Sequence, residues 1–157
     1  MKAISLLLAG IAVGSTGLFT PSPEPPQLEM RPQSIKPMLE GMGFEPKDLG
    51  SNNWEVTVSR GGLDTPIAVG LSSSGRKLWL TTYLGEVSDK LKTDAPRLVK
   101  ILEKTFEIQP THFFISETSL KAGMALDNRG VVPAILKREL EKLADDVAAT
   151  KELWQGA

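Results

Sequence analysis

From Ser34 onward the apolar residues follow two periods in turn, and each switch marks an element boundary. Ser34 caps a short predicted helix whose apolar positions are Ile35, Met38, Leu39 and Met42. Gly41 and Gly43 end it, and Gly43–Gly50 reads as a turn-rich connector. Trp54, Val56 and Val58 then alternate with Glu55, Thr57 and Ser59, which is the period of a strand. Arg60-Gly61-Gly62 turns the chain, Ile67, Val69 and Leu71 repeat the alternation, and Ser72–Gly75 turns it again. Leu78, Leu80 and Leu84 mark a third strand. Three strands joined by short Gly and Ser turns predict an antiparallel meander.

The period then lengthens. Asp94-Ala95-Pro96 is a helix start, since proline is tolerated in a first turn. Leu98, Val99, Leu102 and Phe106 follow as an apolar stripe that Pro110 ends. Thr111–Ser116 returns to strand period, with Phe113 and Ile115 on one face, and Leu120, Ala122, Met124 and Leu126 make a fifth strand. After the turn Asp127–Gly130 a last helix starts near Val132-Pro133, with Leu136, Leu140, Leu143 and Val147 along one face. Leu153 and Trp154 complete its packing. The order α-βββ-α-ββ-α predicts an α+β fold, a mainly antiparallel five-stranded sheet with packed helices. There is no internal repeat.

Residues 1–33 are different material. Lys2 followed by the apolar run Ala3–Val13 and the small residues Gly14–Gly17 reads as a secretory signal peptide over residues 1–17. The run is shorter than the ~20 apolar residues a spanning helix needs. The mature chain is therefore expected outside the cytoplasm, periplasmic or extracellular, beginning near Ser15 or Leu18, with no stable membrane anchor. Residues 18–33 read as a Pro-rich linker, part of the stretch Pro21–Pro37 that holds six of the eleven prolines. Such density fixes φ and removes backbone donors, which favours an extended tether. A proline ligand for an aromatic groove is the functional alternative. Residues 34–157 form the single domain.

Composition narrows the chemistry further. A formal net charge of −1 shows no basic excess, so nucleic acid is not an expected partner. With no cysteine there are no disulfides, thiol nucleophiles or thiolate metal sites. The one histidine, His112, has no acid beside it in sequence and reads as a surface or packing residue. Ser72-Ser73-Ser74-Gly75 lacks a nucleophile elbow, and Gly41-Met42-Gly43 ends a helix where a dinucleotide fingerprint would open one. Asp127–Gly130 lacks the rest of a calcium loop, and Asp145-Asp146 reads as a solvated helix face. No catalytic residue, metal or cofactor is assigned, and the chain reads as not an enzyme.

One feature calls for more than packing. Trp79 and Tyr83 point away from Leu78 and Leu80 on the third strand, and Phe114 points away from Phe113 and Ile115 on the fourth. The second face of the sheet is then either covered by another layer or offered to a partner. Trp79, Tyr83 and Phe114 are the candidate partner-binding residues.

The element order, together with Leu39–Phe44 (LEGMGF), Asn53–Val58 (NWEVTV), Pro66–Leu80 (PIAVGLSSSGRKLWL) and two later strands before a C-terminal helix, resembles type III secretion chaperones and the bacterial sensory-transduction-regulator domains related to them. The resemblance spans about Ile35 to Trp154. It implies a non-enzymatic domain, often dimeric, that presents sheet and helix surfaces to an extended protein segment. Two functions follow as expectations. The first is an exported protein-binding or dimerisation module, with a protein partner or a second copy as its ligand. The alternative is a small-ligand-binding or enzymatic domain with a pocket between sheet and helices, which needs convergent polar groups.

Overall fold

The computed structural model describes residues 29–155. In chain order the elements are α1 (Pro32–Gly41), β1 (Lys47–Gly50), β2 (Asn53–Arg60), β3 (Leu63–Leu71), β4 (Lys77–Glu86), α2 (Asp89–Thr93), α3 (Ala95–Glu107), β5 (His112–Ser116), β6 (Ser119–Asp127), α4 (Pro133–Ala149) and α5 (Lys151–Trp154). The strands form one sheet in the order β1-β2-β3-β4-β6-β5, antiparallel at every step. The α+β class and the antiparallel sheet with packed helices are as the sequence predicts.

Strand alternation sends one set of side chains to the core. Val56, Val58, Ile67, Val69, Leu78, Leu80, Leu120, Ala122 and Met124 are buried on one face, where α1 and α4 pack. The 17 residues of α4 start on Pro133, whose missing N–H costs nothing in a first turn. Leu136, Leu140, Leu143 and Val147 are all buried, so the predicted stripe of this helix is its contact face. Burying each such side chain contributes about 1.5–3 kcal/mol. The Trp154 indole donates to the Val147 carbonyl at 3.1 Å and anchors the chain beyond α4.

The sheet has six strands where five were expected. The extra one, β1, lies in the stretch read as a connector. It is an edge strand of four exposed residues, so no alternation announces it. Its turn to β2, Ser51-Asn52, has φ of 53° and 59°, the left-handed backbone that two-residue hairpins use.

Two short helices, α2 and α5, are additional to the three expected, and two of the expected helices differ. The first starts at Pro32, ahead of Ser34, so Ser34 is its third residue and not its cap. The Ser34 hydroxyl accepts from the Arg31 N–H at 3.1 Å and donates to the Arg31 carbonyl at 2.7 Å. In α3 the buried residue is Ile101, while Val99, Leu102 and Phe106 are 51%, 68% and 78% exposed. The stripe is real, but α3 sits beside the edge strand β5, and only one flank of its apolar surface faces the core.

The domain also begins earlier than residue 34. Met30 is buried, and the Asn128 side chain accepts from its N–H at 3.1 Å and donates to its carbonyl at 2.9 Å. Residues 29–33 thus belong to the folded unit and not to the linker. The expected signal peptide and residues 18–28 of the linker lie outside the described residues.

Candidate functional site

The sheet face opposite α1 and α4 takes the alternate residues of each strand. On β4 these are Trp79, Thr81 and Tyr83, on β6 Lys121, Gly123 and Ala125, and on β5 His112 and Phe114. The register sets them in cross-strand rows: Trp79 beside Ala125, Thr81 beside Gly123 and His112, and Tyr83 beside Lys121 and Phe114. Among the described residues no helix covers this face. Trp79 is 38% exposed and Tyr83 53%, and Phe114 is half-buried.

The three sequence-predicted residues therefore share one face, and a fourth joins them. The His112 ring meets Trp79 edge-on at 6.4 Å between centroids and lies tilted against Phe114 at 5.6 Å. From sequence His112 reads as a surface or packing residue, and the structure makes it a packing residue of this face. The signal that places it here is parity, since His112 and Phe114 are two apart on one strand. Tyr83 stands at the other end of β4 and donates to Glu86 at 3.3 Å. Partial desolvation first, then the Glu86 carboxylate, raises the Tyr83 phenol above its ordinary value.

The floor between the rings is shallow because its residues are small. A Cβ on Gly123 would come 2.6 Å from the Leu80 carbonyl oxygen and 3.3 Å from the Phe114 ring. Gly123 is thus the gap over which the Phe114 ring lies. The four residue steps of β4 from Trp79 to Tyr83 span about 13 Å at ~3.3 Å per residue. Such a trough buries apolar side chains of an extended segment, and its rings are of the type that dominates interface energetics. It contains no nucleophile paired with a base. Among the described residues no three His, Asp or Glu side chains gather to hold a metal ion.

A second apolar surface lies round the sheet edge. Val99, Leu102 and Phe106 of α3 are exposed, as is Ile115 of β5 at 54%. The Thr105 hydroxyl accepts from the Phe113 N–H at 3.3 Å, which holds the C-terminal half of α3 against β5. Arg97 ties the other end, donating to the Leu153 and Gln155 carbonyls at 2.7 and 2.9 Å.

The remaining candidates are structural. Ser72 and Ser74 bond each other at 3.2 Å, and Ser72 accepts from the Lys77 N–H at 3.2 Å, so the serine run holds its own hairpin. Gly43 closes α1 with φ of 87°. Asp146 is not a solvated helix residue: its carboxylate accepts from Thr111 at 2.5 Å and from Lys142 at 2.7 Å, and its side chain is 14% exposed. It fixes the loop that leads into β5.

An open cleft of about 1000 Å³ lies at one end of the sheet, lined by Met30, Met38, Leu71, Arg76 and Val131 among others. Its one deeply buried polar side chain, Asn128, already bonds Met30 and the Gly75 carbonyl. The buried amide of this cleft is thus already engaged within the protein.

No protein-family model matches the chain, and no curated protein matches it significantly. Solved structures are similar in fold. YbjN from E. coli matches with a TM-score of 0.52 and 9% identity, over 80% of this chain and 95% of its own. The Yersinia pestis type III secretion chaperone SycH, solved with a stable fragment of YscM2, matches at 0.47 and 16% identity, over 75% of this chain and 96% of its own. A chain of the HopA1–SchA chaperone–effector complex matches at 0.49 and 13% identity, over 77% of this chain and 89% of its own. The fold is similar to that of YbjN, and at 9% identity fold is the whole of the similarity.

Proposed function

We propose that this chain is a non-enzymatic protein-binding module that takes an extended protein segment on its aromatic sheet face. One observation carries the reading: the His112 ring meets both Trp79 and Phe114 on a face that the described helices leave uncovered. Aromatic side chains that stay exposed in the folded chain are stabilised further when a partner buries them. The signal-like pattern of residues 1–17 supports export, with the module acting outside the cytoplasm.

The test is the double change Trp79→Ser with Phe114→Ser. A pull-down from the native host should retain a partner on the parent chain and lose it on the double variant. Circular dichroism should show the variant still folded. A partner held equally by both would move the binding site away from this face.

A second reading, self-association, has its own observation. Val99, Leu102 and Phe106 form an unpartnered helical stripe flanked by Ile115, and a second copy offers the same stripe in return. The two surfaces lie on different faces, so a dimer through α3 leaves the aromatic face open.

A further inference from the structure

The open cleft at the sheet end lies where the described residues begin. Glu29 lines it and makes an antiparallel bridge with Arg129, and their side chains pair at 3.8 Å. In antiparallel pairing one strand runs back as the other runs on. Continued past Glu29, the same pairing sets Leu28 by Gly130, Gln27 by Val131 and Pro26 by Val132. Gly130–Pro133 is one wall of the cleft. That wall is an unpaired edge: the N–H groups of Gly130, Val131 and Val132 donate to no acceptor among the described residues. Val132 also exposes 48% of its surface. Backbone donors beside apolar surface need a partner.

The chain's own sequence offers that partner. Pro26-Gln27-Leu28-Glu29-Met30 alternates apolar and polar residues, the period of a half-buried strand. The fold obeys this pattern in its last two members, since Glu29 is exposed and Met30 is buried and bonded to Asn128. Leu28 and Pro26 share the parity of Met30. Pro25 and Pro26 bring no N–H. That suits the end of the wall, where the Val132 carbonyl already accepts from the Leu136 N–H at 3.0 Å. We propose that residues 26–28 of this same chain dock in the cleft as a strap, paired with Gly130–Val132, with Leu28 against the apolar floor at Met38, Leu71 and Val131. The strap continues the Met30 anchor, and a ligand for this cleft must displace it.

The chain has no cysteine, so an introduced pair reports on its own proximity alone. Residues directly opposite in an antiparallel pair stand about 4.5–5.5 Å apart at Cα, within reach of a disulfide. In the full chain, Gln27→Cys with Val131→Cys should close a disulfide within one molecule on mild oxidation, and Ser22→Cys with Val131→Cys should not. Circular dichroism should show both variants folded. Absent closure from Gln27, or equal closure from Gln27 and Ser22, would mean that the segment does not dock in this register and would overturn the proposal. Links between two molecules would overturn it too, and give the cleft to a second copy. Hydrogen exchange reads the strap without cysteines. The amides of Gly130–Val132 should exchange slowly in the parent and lose that protection in Leu28→Ser, while the amide of Ile67 in β3 keeps its own. Rates at Gly130–Val132 that Leu28→Ser leaves unchanged would show that the wall is not paired with this segment.

Discussion

Asn128 and Met30, 98 residues apart, share two hydrogen bonds: the Asn128 amide accepts from the Met30 N–H at 3.1 Å and donates to its carbonyl at 2.9 Å. The same amide donates to Gly75 at 2.6 Å, so one side chain joins the chain ahead of α1 to the β3–β4 turn. Asn128 is 2% exposed, and its removal strands polar groups that water reaches poorly. Asn128→Ala is expected to cost about 1–3 kcal/mol in urea unfolding. It should also deprotect the Met30 amide in hydrogen exchange ahead of the β-sheet. An unchanged exchange rate at Met30 would show that this segment is held by something else.

Leu140 and Leu102 separate core from surface. Both are helical leucines at apolar positions, yet Leu140 is 0% exposed and Leu102 68%. Leu140→Ala should cost about 2–5 kcal/mol, because it leaves a cavity under the sheet. Leu102→Ala should shift stability by no more than about 0.5 kcal/mol in the monomer. Thermal melts of dilute protein read both. Equal losses would mean that α3 packs as deeply as α4.

The same pair explains how far the sequence could be read. Period and punctuation placed α4, the strands β2 to β6 and the parity of Trp79, Tyr83 and Phe114, because a half-buried sheet and a one-sided helix leave those marks. In α3 the mark is ambiguous. An apolar surface wide enough to cover both core and edge looks, in sequence, like one contact stripe. β1 leaves no mark at all, since an edge strand with both faces wet needs no alternation. Asp146 read as a surface charge because its partner Thr111 is 35 residues away, a distance no local pattern spans. His112 joins the aromatic cluster through its ring, in keeping with a surface or packing residue, and its parity with Phe114 is the mark that places it there.

Self-association through α3 is expected to break on introduction of charge. Leu102→Glu places a carboxylate at the middle of the exposed stripe, where a second copy would have to desolvate it. Sedimentation should show the parent concentrating into dimers and the variant staying monomeric, with the same circular dichroism. A dimer that survives Leu102→Glu would place the contact elsewhere.

Acid should remove part of the stability at the sheet end. The Arg129 N–H first, at 3.0 Å, and then the Lys77 ammonium hold the Asp127 carboxyl below its ordinary value of 3.8. A group with a lowered folded value contributes stability that is complete above the unfolded value and is lost as pH falls through the folded one. The gap in melting temperature between the parent and Asp127→Asn should therefore be full at neutral pH and shrink as the pH falls below 3.8. A gap that widens in acid would reverse the sign of this assignment.

Two glycines give a last contrast, one that reads the aromatic face directly. Gly41, in the last turn of α1, has nothing within 4 Å of the position a Cβ would take. Gly41→Ala should therefore be neutral or gain about 0.5–1 kcal/mol, the usual cost of a helical glycine. At Gly123 the new carbon would meet the Leu80 carbonyl oxygen at 2.6 Å, the Thr81 methyl at 3.0 Å and the Phe114 ring at 3.3 Å. The backbone oxygen cannot swing away as a side chain can, so β4 and β6 must separate locally. Gly123→Ala should cost about 1–3 kcal/mol, as overpacking does. It should also move the ring resonances of Phe114 and His112, since the strain is shared with the ring lying above it. Gly123→Ala at parental stability, with those resonances unmoved, would mean that Phe114 does not rest on β6 and that the trough is not formed as described.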